Sequence, residues 1–392
     1  MSGSSIGQSI GSKKRNTNIE LLRLFSMFLI VAYHLRNHIG IVYENELPAS
    51  VFFPVTLLGS WGLVGVDIFL VISVWFMSAE NYRFRFNRVL SFVLQCFSWV
   101  AAYGVVFFAE QILRQHHSIK TALRLFVKST VNGFFEPFWS NYYWFATAYF
   151  FLMLLAPFLH RLLHGLEREQ TKKLLIVFSF IPLYAHFNSG GSKICEVFYF
   201  LYFFLLVGYI RKYEPRFAVR LTARPWYIPI AAFVLAGQTA LHFLENNGSR
   251  VCAVFCLFLN KTSAASIRRH PLLLSVAALC IVLRVLSKKP RYSALVNKTA
   301  SHTFGVYLFH DAHCFELTNT GMILVAFVHA HGFLQQGTRF SLDYIALTAG
   351  VFILGLALEA VRNFVIQKPF MGLISKKGKD IIDKVDGFYD PF

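Results

Sequence analysis

Ile19-Glu20-Leu21-Leu22-Arg23-Leu24-Phe25-Ser26-Met27-Phe28-Leu29-Ile30-Val31-Ala32-Tyr33-His34 is an apolar run that carries a carboxylate, a guanidinium and an imidazole. Continued to residue 39, it is long enough to cross a bilayer as a helix. Eleven positions at about 100° each make about three turns plus 20°, so Arg23 and His34 share a face, about 16 Å apart along the axis. Glu20 lies about 40° from His34 in the same projection. Ionisable groups inside an apolar span are costly and mark function by default. An anion holder near one membrane face and a proton acceptor deeper in the bilayer suit a substrate that reaches in from one side. Taken singly, each group has an ordinary structural reading: a snorkelling arginine, a core histidine, a carboxylate at a helix start. The shared face argues for function.

The remainder of the chain is equally apolar. Of 392 residues 56% are hydrophobic, 15% are charged and 43 are Phe, with a mean hydropathy of +0.51. This composition excludes an ordinary soluble domain and predicts an all-α, polytopic membrane helix bundle. The formal net charge is +18, but the basic residues sit in short clusters between apolar runs. They read as topology signals and contacts to membrane lipids, and no basic stripe interleaved with aromatics speaks for a nucleic-acid partner. Cys96, Cys195, Cys252, Cys256, Cys280 and Cys314 lie in or beside apolar runs without a C-x-x-C pair. They read as small buried hydrophobes, with no disulfide framework and no metal site expected. The polar stretch Met1–Lys14 lacks a clear cleavage site after the first run, so that run is expected to be a retained helix.

About ten runs are long enough to span: 19–39, 59–80, 89–112, 142–163, 173–188, 194–211, 226–244, 270–287, 300–317 and 342–366. The stretches 251–260 and 321–334 are shorter and fit re-entrant or interfacial pieces. Lys13, Lys14 and Arg15 precede the first run, and every even-numbered exit is basic, as in Arg83-Phe84-Arg85-Phe86-Asn87-Arg88 after the second and Lys288, Lys289 and Arg291 after the eighth. The positive-inside rule then puts both termini in the cytoplasm. The loop after the third run, with Arg114, Lys120, Arg124 and Lys128, breaks the pattern and reads as an outward-facing amphipathic segment. The organisation expected is a cytoplasmic tail over 1–17, a membrane domain over 18–370 and a cytoplasmic tail over 371–392.

Three further features carry chemistry. Asp67 and Ser73 interrupt the second run, and Asp67 is a candidate to pair with His34 or with a basic group; a carboxylate that orients a histidine makes it a better base. Arg85 and Arg88, three apart, share a face if a helix starts there, and guanidinium forks suit phosphate oxygens. His310-Asp311-Ala312-His313 is a polar cluster near the outer end of the ninth run; its spacing is tight for a metal and no fourth ligand is evident. His310 is expected to line the acceptor side. His116, His117, His329 and His331 are expected to be solvated or interfacial.

Taken in order, these features resemble the acyltransferase-3 family of membrane proteins. The R-x10-H pattern is met by Arg23 and His34, the Gly-Val-Asp run by Gly65-Val66-Asp67 leading to Ser73, and the R-x-x-R pair by Arg85 and Arg88. Asn141-Tyr142-Tyr143-Trp144-Phe145 is similar to an L-W-F-L span start, and Thr303-Phe304-Gly305-Val306-Tyr307-Leu308-Phe309-His310 to a T-F-G-I-Y-L-I-H segment. One departure is Val74, where the family carries glycine. The resemblance covers nearly the whole chain and implies a stand-alone member, without the hydrolase-like domain that some members add. It implies an acyltransferase that moves an acyl group, usually acetyl, from cytoplasmic acyl-CoA to a hydroxyl of a cell-surface or lipid-linked glycan, in a bacterial cell membrane. Catalytic roles then fall to His34, Asp67 and Glu20, donor binding to Arg23, Arg85 and Arg88, and substrate binding to Ser73, Trp144 and His310. The donor is acyl-CoA, with no metal. The rival reading is a secondary transporter or flippase for an anionic or lipid-linked solute. The chain lacks the internal repeat that many transporters show.

Overall fold

The computed structural model describes residues 15–43, 49–113, 115–128, 143–187, 193–250, 254, 272–310 and 337–389. The described residues are predominantly helical, with no strand among them. The helices are α1 (Thr17–Tyr43), α2 (Ala49–Met77), α3 (Phe86–Leu113), α4 (Trp144–Gly165), α5 (Arg168–Phe187), α6 (Lys193–Tyr213), α7 (Pro215–Leu221) and α8 (Tyr227–Asn246). They continue with α9 (Leu272–Leu286), α10 (Ala294–Ala300), α11 (Thr303–His310), α12 (Gly337–Arg362), α13 (Lys368–Lys377) and α14 (Lys379–Tyr389). Where they are described, the apolar runs are largely helical. The ninth, 300–317, is described only to residue 310, with a turn at 301–302 between two short helices, and residues 142, 188, 270 and 271 also lie outside the described residues. Among the described residues six stretches, against about ten expected, are long and apolar enough to cross a membrane: Thr17–Asn37, Ala49–Met77, Phe86–Leu113, Trp144–Gly165, Tyr227–Glu245 and Phe340–Lys377. α9 is apolar but shorter. Asp311, His313, His329 and His331 lie outside the described residues.

The bundle is organised around α2, which is buried along most of its length. α1 lies against it so closely that Gly59, Gly62 and Gly65, spaced three apart on one face, leave no room for a side chain. A Cβ on Gly62 would sit 2.3 Å from the Tyr33 Cβ, and one on Gly65 would sit 2.7 Å from the Ser26 carbonyl oxygen. Small residues let backbones approach in this way, and in lipid such packing drives helix association. The other faces of α2 meet α6, α8 and α9.

The basic exits share one face of the bundle. Arg211 at the end of α6 donates to the Trp75 carbonyl at the end of α2, 2.5 Å, and Lys212 reaches the carbonyls of Leu163, His164 and Leu166 at the end of α4. The start of α1 is tied to the connection after α9, where the Thr17 N–H donates to the Arg291 carbonyl at 2.9 Å. The start of α3 is tied to the last helix, where the Phe86 N–H donates to Asp386 at 2.6 Å. These cations satisfy the orphan carbonyls of the helix C-termini, where positive charge is favoured. At the opposite face Phe52 and Phe53 near the start of α2 pack against Phe243 near the end of α8. After α3, residues 119–128 form a further helix, with Ile119, Leu123 and Val127 exposed and Phe126 packed edge-on to Phe108 of α3.

The last long helix is interrupted by a π-helical turn at Asn363–Gln367. There the buried Arg362 donates to Glu359 from Nε at 2.7 Å and Nη2 at 2.6 Å, and from Nη1 to Gln367 Oε1 at 2.7 Å. Glu359 also accepts from Gln95 at 2.9 Å and from the Trp99 indole at 2.8 Å. A buried ion pair holds only when its remaining valences are satisfied, and this network links α12 to α3. π-turns of this kind are frequent at functional sites.

Candidate active site

A cavity of about 660 Å³ opens at the face that carries the basic exits. Arg15, Arg23, Arg85 and Arg88 line it, together with Glu20 and Ser73. α1 supplies Arg23 from its second turn, α2 supplies Ser73, and the start of α3 supplies Arg85 and Arg88, so one cavity gathers what the sequence distributes over three helices. Arg85 and Arg88 are exposed, and neither is in an ion pair among the described residues. Arg85 immediately precedes α3, so both guanidinium groups sit at a helix N-terminus, which itself favours anions. Arg23 pairs with Glu20 at 2.9 Å and lies over the Phe69 ring, 5.9 Å from its centroid.

His34 lies on a second, much smaller cavity of about 20 Å³, walled by Met27, Ile30, Val66, Phe69, Trp144, Phe145, Phe304 and Tyr307. Phe69 and Phe304 wall both spaces. From the large cavity to the small one the order of lining groups is arginines, then two aromatic rings, then the histidine.

The histidine has a partner on another helix. His34 Nδ1 lies 2.8 Å from His310 Nε2, and His310 Nδ1 lies 2.6 Å from the Val306 carbonyl. A carbonyl only accepts, so His310 carries its proton on Nδ1. With both rings neutral, His310 Nε2 then accepts from His34 Nδ1–H, and the lone pair of His34 stands on Nε2. The chain of bonds assigns the tautomer that a general base or nucleophile needs. α11 is itself held at its end: the Tyr143 hydroxyl donates to the Leu308 carbonyl at 3.0 Å, and the Tyr103 hydroxyl donates to that of Phe309.

Three expected roles need correction. Asp67 does not orient His34. Its carboxylate accepts from the Tyr199 hydroxyl at 2.9 Å and from Ser275 at 2.7 Å. The reason is rotational: Gly65 faces α1, and two positions on, at about 100° each, the side chain points away from it. Glu20 lies at the mouth, between Arg23 and Arg15, the latter at 3.7 Å; fourteen positions separate it from His34, about 21 Å of helix. His310 is His34's bonded partner, which a lining role on the acceptor side did not anticipate. Ser73, Trp144, Arg23, Arg85 and Arg88 each line one of the two cavities.

A family model described as an acyltransferase domain, of the acyltransferase-3 type, matches residues 16–361. The chain belongs to the acyltransferase-3 family. Neither a curated protein nor a solved structure gives a match. Its family motifs can therefore be placed on geometry. The R-x10-H pair of this acyltransferase-3 domain spans the two cavities, with the arginine on the large one and the histidine on the small one. The R-x-x-R pair lines the mouth. Val74, the departure from the family glycine, is fully buried and lines neither cavity. Its bulk goes into helix packing and leaves the space beside Ser73 and Trp75 open.

Sequence reading passed over Phe69, Phe304 and Tyr149, which line the cavities, and the buried Glu359–Arg362 pair. Phe69, Phe304 and Tyr149 carry no signal in a chain so rich in aromatics. Glu359 and Arg362 do: two opposite charges three apart inside an apolar run are an intramembrane pair by the same rule that singled out Arg23.

Proposed function

We propose that this acyltransferase takes an acyl group, acetyl in the first place, from cytoplasmic acyl-CoA and delivers it to a hydroxyl of a cell-surface or lipid-linked glycan. The observation that carries the reading is the order of chemistry across two cavities that share walls: an arginine-lined cavity at the basic face, the rings of Phe69 and Phe304 common to both, and a histidine of defined tautomer on the smaller one. A polyanionic nucleotide end suits Arg85, Arg88 and Arg15, with Arg23 further in. The uncharged pantetheine arm suits the aromatic passage. The basic exits speak for a cytoplasmic mouth, where acyl-CoA is made.

His34 then works from Nε2 by one of two routes. As general base it takes the proton of the acceptor hydroxyl while that oxygen attacks the thioester carbonyl; the C–S bond breaks and the thiolate leaves with the proton from the imidazolium. As nucleophile it attacks the thioester first; the C–S bond breaks, the CoA thiolate leaves and takes a proton from water, and the acyl group then passes from nitrogen to the acceptor oxygen, whose proton goes to water. In both routes His310 steadies the ring by accepting from Nδ1–H. Glu20 tunes the mouth by its pairing with Arg23.

The test is thiol release from acetyl-CoA by purified protein in lipid nanodiscs, with surface glycan extracted from the host cells as acceptor. Wild type is expected to release thiol and acylate the glycan, and His34→Gln to do neither, because an amide accepts no proton. Rapid quenching tells the routes apart: an acylated His34 that forms without acceptor belongs to the second. Transfer undiminished in His34→Gln sinks the assignment. Acyl-CoA binding with no thiol released, in any combination of acceptor, would favour the transporter reading.

A further inference from the structure

The space beside His34 is small enough to measure what enters it. At about 20 Å³ it holds little more than one water-sized group, which needs roughly 10–15 Å³ on the same measure. Its walls do not yield easily. Phe145 stands edge-on to Phe69, Phe200 and Trp144 with ring centroids 5.9, 5.1 and 5.7 Å away, and stacks on Tyr149 at 6.1 Å and 14°. Across the cavity Met27 and Ile30, on the first helix, are buried. Close-packed aromatic walls of this kind admit an extra methylene only by displacing neighbours.

We propose that this box, with Phe145 and Met27 as its decisive walls, is the chain-length ruler of the enzyme: it seats a two-carbon acyl group beside His34 and turns away butyryl and longer chains. The inference rests on the acyl-transfer reading above and adds which residues set the acyl specificity. The argument is one of volume and direction. The thioester carbonyl must come to His34, and the arm that brings it passes Phe69 and Phe304, the walls common to both cavities. Among the described residues, the space on His34 that can take the acyl tail beyond the carbonyl is the small cavity. An apolar pocket that cannot take one more methylene discriminates by about 10- to 200-fold.

The experiment compares kcat/KM for thiol release from acetyl-, propionyl- and butyryl-CoA, in nanodiscs with the host's extracted surface glycan as acceptor. Wild type is expected to fall by about 10-fold or more with each added methylene. Met27→Ala and Phe145→Leu, on two different helices, are each expected to raise the butyryl-to-acetyl ratio by about 10-fold or more while acetyl-CoA still turns over. Ile30→Phe, which fills the box, is expected to lose acetyl transfer but retain CoA binding at the arginines. Wild-type turnover of butyryl-CoA equal to that of acetyl-CoA overturns the ruler by itself, whether or not the variants fold. So does an unchanged ratio in both widened variants when they melt as cooperatively as wild type. Failure of His34-dependent thiol release from acetyl-CoA in wild type is a separate outcome; it sinks the acyl-transfer reading, and the ruler with it.

Discussion

Gly62→Ala is the sharpest test of how the α1–α2 contact positions His34. An alanine Cβ at this position would sit 2.3 Å from the Tyr33 Cβ and 2.6 Å from the Leu29 carbonyl oxygen, where ordinary contact begins near 3.4 Å. One of these neighbours is helix backbone and cannot rotate away, so α1 must withdraw by about 1 Å, the shortfall on the two contacts being 1.1 and 0.8 Å. Overpacking of this size costs about 1–3 kcal/mol. Tyr33 adjoins His34, and their rings are 5.5 Å apart, so the histidine moves with the helix. A misplacement of about 1 Å at a reacting group can cost about 100-fold in rate. The prediction is a lower melting temperature together with a loss of turnover of that order, read from thermal unfolding in detergent and from thiol release in nanodiscs. Gly237→Ala and Gly350→Ala are the controls: a Cβ at either meets nothing within 4 Å, and each is expected to gain about 0.5–1 kcal/mol of helix stability. If Gly62→Ala melts and turns over like these controls, the two helices are not as close as described and the argument about His34 fails.

Arg85→Ala and Arg88→Ala should raise KM for acyl-CoA with little change in kcat, since contacts remote from the reacting bond give uniform binding; equal KM in the double variant would make these arginines topology signals only. Glu359→Ala should destabilise by about 3–5 kcal/mol because it strands the Arg362 charge in the bundle, and adding Arg362→Met should recover part of the loss; a double variant as unstable as the single would refute the pairing. His310→Phe should lower kcat more than KM and shift the pH profile of turnover, because His34 loses the acceptor that fixes its tautomer; a variant that merely melts lower with wild-type kinetics would leave His310 a packing residue. A cysteine at Lys377 should resist an impermeant thiol reagent in intact cells, and one at Asn247, at the other end of α8, should react; the reverse labelling would put the arginine-lined mouth outside.

Much of this was legible because a membrane chain writes its organisation in run length and charge. Where they are described the apolar runs are largely helical, six of the described stretches being long and apolar enough to span, and the even exits share a face, because helices must satisfy their own backbone in lipid and cations gather at their ends. Arg23, Ser73, Arg85 and Arg88 were legible as one cavity for a similar reason: each is a polar group that an apolar or near-apolar position has to justify. What failed was rotation and partnership. Asp67 could be paired with His34 on paper because its depth is unconstrained by composition. The G-x-x-G-x-x-G face at Gly59, Gly62 and Gly65 already contained the correction, since it fixes which side of α2 meets α1, and Asp67 is on the other.

The histidine pair shows a different limit, and it bears on mechanism. His34 and His310 are 276 positions apart, and no local pattern joins them. Only the docking of α11 on α1 brings Nε2 of one to Nδ1 of the other. Once they are joined, the Val306 carbonyl decides the protonation of both rings, because it can accept and never donate. A single backbone group at a fixed distance thus sets the protonation of a ring on another helix. That consequence depends on the carbonyl staying where α11 puts it, and α11 is a short helix whose end is tied by the Tyr143 and Tyr103 hydroxyls. The aromatic residues that look like bulk hydrophobicity in the composition are, at these two positions, the struts that hold His310 and, through it, the tautomer of the proposed base.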